Sequence, residues 1–400
     1  MISLGLSASD RAALQTALIT PNRVKVRLEV LDLTGGHLSD ISSYVADGQV
    51  DGTAGDGVTR QLTVTLDDPY QRLPFDSDDP ADTALFMDRM LRASYEVLVN
   101  GDYVSVPVFT GPVTGLARNG AEVSVQAASK EILFLGAAWQ PITFAKGMKK
   151  TDALSQILTR ANPAYAEPAR FLFLPDLPNK LPHAVSLTRD SVPWAHALQM
   201  ARAVDRQLFY NGRGEVHARH PTSGRPVFTF RGTQHVTSPV QITYSAATVN
   251  AVRVLGAIPK GAKQHVVGIA VAPAGHLLSP ARMGRYLMPG GQIVADDKIK
   301  TKAEANARAA RLLEDGLREG VDVSFESVPI PLLDLGDLVH VASDDASVVF
   351  RVNSFSLPLV VGASAAMTVG THRNVQLRVR HHAHHHKPRH PHKHRHRTSR

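Results

Sequence analysis

The 400-residue chain contains no cysteine at all. That absence excludes disulfides, thiolate zinc sites, iron–sulfur clusters and cysteine nucleophiles together, and leaves the redox compartment undetermined. Long apolar runs are missing too. The longest uncharged apolar stretch, near Ser356 to Thr371, is broken by Pro358, Gly362 and Ser364 and is too short to span a bilayer. The opening residues, MISLGLSASDRAAL, lack the basic start and long apolar centre of a secretion signal. A soluble chain with no membrane insertion is the expectation.

Catalytic signatures are equally scarce. The chain has no HExxH helix, no GxSxG elbow, no P-loop and no Rossmann fingerprint. Gly52-Thr-Ala-Gly55-Asp-Gly57 has the wrong glycine order for a dinucleotide loop and reads as a flexible loop. Asp76, Asp78, Asp79 and Asp82 lie close together, but the turn glycine and the terminal glutamate of a calcium loop are absent. A solvated acidic loop is the expectation there. His217 and His220 stand three apart after a strand, so a continuing strand would point them to opposite faces and spoil a metal pair. No catalytic residue, no cofactor and no enzymatic activity is expected.

Charge is also missing from the body of the chain. The net charge is +8, yet two Lys and four Arg without an acid in residues 381–400 supply +6 of it. The remaining +2 over residues 1–380 advertises no basic face built to grip nucleic acid. The tail HHAHHHKPRHPHKHRHRTSR carries nine candidate metal ligands: His381, His382, His384, His385, His386, His390, His392, His394 and His396. Neutral imidazoles bind Zn, Ni, Cu and Co readily. The same nine would charge as pH falls towards about 5, making a polycation for phosphates or an acidic partner. Such a segment cannot form a core and is expected to be disordered, so it reads no base sequence.

What is present is ordinary folded-protein material, 43% hydrophobic and 20% charged, with 29 Gly and 25 Pro falling between short apolar runs. That spacing favours strands and turns. Ser7 or Ser9 is expected to cap a short helix through Ala12, Leu14 and Leu18. The period-2 alternation of VKVRLEV, of Leu62 to Leu66 and of Tyr95 to Val99 predicts strands, turned by Gly35-Gly36 and Asn100-Gly101. VPVFTGPVTGLARNGAEVSVQA adds two more strands around Asn119-Gly120. Five or six antiparallel strands in this span predict a barrel or sandwich.

After Leu135 the pattern changes. Thr151 is expected to cap a helix through Leu154, Ile157 and Leu158, and Asp190 or Ser191 a second one through Trp194, Leu198, Ala201 and Val204. The proline-dense stretch between them, up to Pro182, reads as irregular connection. QLFYNGRGEVHAR then predicts a hairpin. From Val249 strands return, interrupted by a helix that opens on the capping box Thr301-Lys-Ala-Glu304. Ala305, Ala309, Leu312, Leu313 and Leu317 form its apolar stripe, and the alanines allow close approach to a sheet. The expected organisation is a mainly β chain with an α+β part. It comprises a first β-barrel domain at 1–135 and a small α+β domain at 136–225. A second β-barrel domain at 226–380 carries the docked helix 301–318, and the basic tail at 381–400 follows. An internal duplication of the two β-rich parts is a possible reading.

The C-terminal third carries a recognisable order of motifs. The helix TKAEANARAARLLEDGLREG precedes the strand VDVSFES and then VPIPLLDLGDLVHV. This resembles the tail hub (baseplate hub, tail-associated or minor tail) proteins of long-tailed bacteriophages, with Pro331, Leu335, Gly336, Asp337, Val339 and Val341 matching the family's entry into its barrel. RQLTVTLDDP, VFTGPVTGLARNGAEVSVQAASKE and SVPWAHALQMARAVDRQLFYNGRGEV resemble further hub segments, in the same order. The resemblance implies two related tail-tube-like barrels per chain and a homotrimeric ring that matches the sixfold tail tube. It implies a structural virion protein at the tail tip, made in the host bacterial cytoplasm, forming part of the DNA ejection channel. The implied partners are a distal tail protein or tail tube ring, a tape measure protein, and a tail fibre, spike or receptor-binding protein used in host attachment. The His/Arg-rich tail departs from the family pattern, and no lysin-like extension is apparent. Two other readings stand beside this one: a tail-associated cell-wall hydrolase, which would need a carboxylate pair or metal triad in a cleft, and a metal- or polyanion-binding module acting through residues 381–400.

Overall fold

The structure, a computed structural model, describes residues 7–18, 23–74, 83–175, 177, 180–204, 206–220, 225–244, 249–261, 264–276, 278–287, 293–295, 299–318, 321–342, 347–360 and 362–371. The acidic run Asp76–Asp82 and the nine tail histidines lie outside these residues.

Helix α1 (Ala8–Leu18) opens the described chain, with the Ser7 hydroxyl accepting from the Asp10 amide at 3.1 Å. Seven strands follow, β1 (Val24–Leu31), β2 (His37–Asp40), β3 (Val45–Thr53), β4 (Arg60–Asp67), β5 (Met90–Val99), β6 (Asp102–Asn119) and β7 (Glu122–Ala128). Their alternating pattern works as the sequence suggests. In β4, Leu62, Val64 and Leu66 are buried while Gln61, Thr63 and Asp67 face solvent. The β5–β6 hairpin turns at Asn100 and Gly101, both with positive φ.

The middle of the chain holds α2 (Lys150–Arg160), α3 (Pro193–Arg202) and short strands β8 (Ile142–Phe144), β9 (Leu172–Phe173), β10 (Val185–Leu187), β11 (Gln207–Tyr210) and β12 (Val216–Arg219). Two expected caps are not made. Lys149 and Val192 precede the helices without a side-chain cap. Thr151 sits inside α2, where its hydroxyl donates to the Pro175 carbonyl and accepts from the Leu177 amide. Ser191 accepts instead from the Thr188 amide, and Pro193 starts α3 with its fixed φ. The proline-dense connection also hides a strand, since β9 pairs in parallel with β12. These elements enclose their own core around Trp194, Phe144, Ile157 and Tyr210.

The last part contains β13 (Phe228–Arg231), α4 (Gly232–His235), β14 (Gln241–Tyr244), β15 (Ala251–Leu255), β16 (Val267–Val271), α5 (Pro280–Met283) and β17 (Ile293–Ala295). Helix α6 (Lys302–Arg318) and strands β18 (Val321–Ser327), β19 (Leu338–Ala342), β20 (Ser347–Pro358) and β21 (Ala365–Thr371) complete it. The capping box forms, with the Glu304 amide donating to Thr301 Oγ1 and the Thr301 amide donating to Glu304 Oε2. Helix α6 lies on the small sheet β16–β15–β17, and Gly268 of β16 meets the Ala305 backbone so closely that a Cβ would collide with it. The alanine stripe thus does what its small size permits.

The two β-rich regions do not stand as separate closed barrels. They share one thirteen-stranded sheet in the order β14-β18-β21-β20-β3-β4-β7-β6-β5-β1-β2, with β19 and β13 branching from β20. Antiparallel pairing of β20 with β3, from Ser354 opposite Thr53 to Pro358 opposite Gln49, makes the join. The architecture is mainly β with several sheets, none of which closes on itself into a barrel among the described residues. A single apolar cluster runs through both regions, from Leu14 and Phe109 to Phe325 and Phe355. Backbone pairing across regions far apart in sequence is what period-2 patterning cannot reveal, because alternation fixes a strand's faces and not its neighbour. No helix among the described residues is long and apolar enough to cross a membrane.

Candidate functional site

The family-like segment Pro331–Val341 contains a tight turn over residues 334–337 and continues into β19. Gly336 takes φ +78°, and a Cβ there would lie 2.9 Å from Gln207 Oε1, so glycine suits both the conformation and the space. The turn is held by its own acids. Asp337 Oδ2 accepts from the Asp334 amide at 2.8 Å, and Asp334 Oδ1 from the Leu335 amide at 2.9 Å. The Gly336 amide donates to the Val352 carbonyl, tying the turn to β20.

Two arginines converge on these acids from different parts of the chain. Arg60 on β4, almost fully buried, donates to Asp334, donates to the Val108 carbonyl at 3.2 Å, and stacks over Phe355. Arg219 on β12 donates to the Leu335 carbonyl, lies 3.4 Å from Asp337 and 3.9 Å from Asp334, and covers the Phe209 ring. Burial pushes the Asp334 carboxyl up, but the Arg60 and Arg219 charges outweigh it and hold the group below the ordinary carboxylate value. Asp337 goes the other way, because burial and the neighbouring Asp334 charge raise it.

A second polar cluster lies nearby, built on the turn Lys130–Phe134 that follows β7. Lys130 Nζ pairs with Glu167 at 2.9 Å and sits 3.8 Å from the Phe171 ring centre, with both charged groups inaccessible to solvent. Tyr210 and Tyr165 hydroxyls donate to the other Glu167 oxygen at 2.7 and 3.1 Å. Burial lowers Lys130 below its ordinary value against the opposing pull of Glu167, and burial beside Glu167 raises both tyrosines. Glu131 accepts from Thr59 Oγ1 at 2.5 Å and from the Tyr210 amide at 3.2 Å, while its Oε2 has no hydrogen bond. Burial raises its carboxyl above the usual range.

Together these groups clamp three stretches of chain: the β4–β7 part of the main sheet, the α2–α3 unit, and the turn before β19. Chemically most of the arrangement is engaged, with Glu131 Oε2 and the Nε atoms of Arg60 and Arg219 left without a hydrogen bond. Asp334 and Asp337 are a carboxylate pair with values pushed apart, which a hydrolase requires. Both are buried, however, and both spend their oxygens on the turn backbone and on arginine. Of the residues singled out from sequence, Leu335, Gly336, Asp337, Val339 and Val341 belong to this junction or to the strand leaving it. His217 is used in ring stacking, 5.3 Å and nearly parallel to Phe173. No group of three His, Cys, Asp or Glu suited to a metal occurs among the described residues. Arg60, Lys130, Glu131 and Glu167 escape sequence reading, since nothing local distinguishes a charge that will be buried by a partner some 40 to 270 residues away.

No family model and no curated protein matches the chain. Solved structures do. A tail protein from Neisseria meningitidis superposes with TM-score 0.57 at 14% identity, covering 86% of this chain and 96% of that one. The 43 kDa tail protein of prophage MuSo2 from Shewanella oneidensis gives 0.58 at 11% identity, covering 87% and 98%. The prophage tail protein gp18 from Listeria monocytogenes gives 0.55 at 10% identity, covering 87% and 95%. The resemblance read in the motif order therefore holds in three dimensions, and this chain carries the fold of the phage tail proteins.

Proposed function

We propose that the chain is a structural, non-enzymatic component of the distal end of a phage tail. It would serve as a homotrimeric hub at the baseplate, join the tail tube to fibre or spike proteins, and leave a passage for DNA. The observation that carries this reading is the likeness to three tail proteins over nearly their whole length, which leaves little of either chain unaccounted for. In this reading residues 1–135 and 226–380 each supply one barrel-like unit of the ring, and residues 136–225 a peripheral unit. The main sheet supports it, because the strands at both ends of its order, β2 and β14, pair on one side only among the described residues, which leaves an edge for a neighbour. The engaged state of Asp334 and Asp337 supports a scaffold over a hydrolase. The tail histidines would then be an accessory, available for metal or polyanion binding without being needed for assembly.

Native mass decides it. Sedimentation of the full chain across a concentration series should give a species of three 43.2 kDa subunits, and removal of residues 381–400 should leave it intact. A strict monomer at every concentration would overturn self-assembly. Loss of the trimer with the tail would transfer the role to the tail.

A further inference from the structure

The three-stranded sheet β11-β12-β9 has one face in the α2–α3 core and another that is only half covered. On the outer face Phe173, His217 and Phe209 form a row of stacked rings across the three strands, at 5.3 and 6.2 Å between centres. At the next rung Arg219 closes over Phe209 and engages the 334–337 turn, so that end is occupied. At the β9 end nothing lies on the row among the described residues. There an open groove of about 560 Å³ is lined by Leu172, Phe173, Pro175, Arg206, His217 and Arg219, with Phe173 47% exposed.

Three features of this groove point to one kind of occupant. First, β9 is an edge strand: it pairs with β12 on one side and with no strand on the other among the described residues. An extended edge left open is a template for strand addition. Second, the lining contains two arginines and a histidine and no carboxylate. The nearest acids are spent, Glu215 on Asn211, Arg213 and His217, and Asp334 and Asp337 on Arg219 and the turn. Third, the Nε atoms of Arg206 and Arg219 are both buried without a hydrogen bond, and of the two side chains only Arg219 has its terminal nitrogens engaged by the 334–337 turn. A desolvated guanidinium donor without an acceptor is costly, and a carboxylate arriving in the groove would satisfy it.

We propose that this groove is a docking site for an extended, acidic segment of a partner protein. The segment adds as a strand beside β9, lays an apolar side chain on Phe173 and His217, and places a carboxylate on Arg206. The site is distinct from the sheet edges that the ring reading uses, and it does not depend on that reading.

The test is a selection from a displayed library of random twelve-residue peptides on the full chain, counter-selected on the variant Phe173→Ser/Arg206→Gln. A thermal melt confirms that the variant folds, which its half-exposed positions favour. The expected result is enrichment of acidic peptides with alternating apolar residues. Their affinity should fall at least tenfold for Phe173→Ser and for Arg206→Gln singly, and again when alternate peptide nitrogens are methylated. Four results would overturn the proposal: no peptide that distinguishes wild type from variant, enrichment of basic peptides, binding indifferent to N-methylation, or occupation of the groove by a thymidine oligonucleotide in place of any peptide. Native mass measured on the same sample separates the two ideas, because a monomer that still binds the peptides sinks the ring and not the groove.

Discussion

Two units hang from the same large sheet and are attached by opposite chemistry. The α2–α3 unit is fastened by buried charge, with Lys130–Glu167 on one side and Arg60 and Arg219 on Asp334 and Asp337 on the other. Among its described residues the α6/β15–β17 unit has an apolar core cluster. It relies on Ala305, Ala309, Val252, Val254, Ile299 and Leu313, packed through the contact of Gly268 with the helix backbone. Apolar close packing is tolerant of direction and loses stability in small steps. A buried ion pair is the reverse, since it adds little over an apolar replacement and yet fixes one geometry, because any misalignment strands a charge. The first unit is thus held in a defined orientation on the sheet.

The sharpest way to break this contrast is to remove one member of the deepest pair. Lys130→Met leaves Glu167 buried with only the two tyrosine hydroxyls, and a loss of about 3–5 kcal/mol in urea denaturation is expected. Lys130→Met/Glu167→Leu should recover much of that loss, because no charge is then stranded. A double variant as unstable as the single would show that the pair itself, and not its desolvation, holds the unit. Asp334→Ala should cost a similar amount by stranding Arg60. The effect should vanish selectively in acid, because Asp334 sits below its ordinary value: its contribution is present at neutral pH and is lost as pH falls through the folded value.

In the apolar unit the expected effects are smaller. Gly268→Val forces a side chain into the Ala305 backbone and should cost about 1–3 kcal/mol by overpacking. The loss should appear as faster hydrogen exchange in α6 and β16 with α2 and α3 unchanged. Spread of the exchange into α2–α3 would mean that the two units are coupled and that the comparison is false.

The same contrast explains what was legible in the sequence. Apolar features were legible because they are periodic. The β1, β4 and β5 alternation, the Asn100-Gly101 turn and the α6 stripe all declare themselves within a short window of chain. The charged junction was not, because Lys130 and Glu131 look like any solvated pair after a strand, and only the fold brings Glu167 and Thr59 to them. Part of it was visible indirectly. Gly336 and Asp337 stood out through their place in the motif order, and the structure supplies the physical reason in a positive φ and a carboxylate bonded to its own turn. The missed strand β9 shows the other limit: two residues paired in parallel carry no period to read. The join between the two β-rich regions was hidden for a related reason, as the β20–β3 pairing links segments some 300 residues apart.

Glu131 offers a finer probe of the junction. Its folded carboxyl lies above the ordinary 4.5. The group therefore favours the folded state below that pH, and its contribution is lost as pH rises through the folded value. Glu131→Gln keeps the shape and removes the titration. Relative to wild type, the variant's urea midpoint should rise between pH 4.5 and neutrality. A constant difference across that window would mean that Glu131 stays ionised and finds compensation elsewhere.

The smallest effect belongs to the α6 cap, and it tests the comparison from its weak end. Thr301→Ala removes the acceptor for the Glu304 amide and leaves Glu304 to hold the Lys300 and Thr301 amides alone. About 1 kcal/mol is the usual cost of such a cap. In a protein whose units unfolded together, that loss would be shared by the whole chain. Among the described residues, however, the α6 unit has six in its buried cluster, and its sheet does not join the main one. Its local opening should therefore be the cheapest in the molecule. Amide exchange in the first turn of α6 should quicken about fivefold, as that energy implies, while the global urea transition keeps its midpoint. A global shift of the same size would instead make α6 a member of the main cooperative unit, fastened as firmly by its small residues as the α2–α3 unit is by its charges.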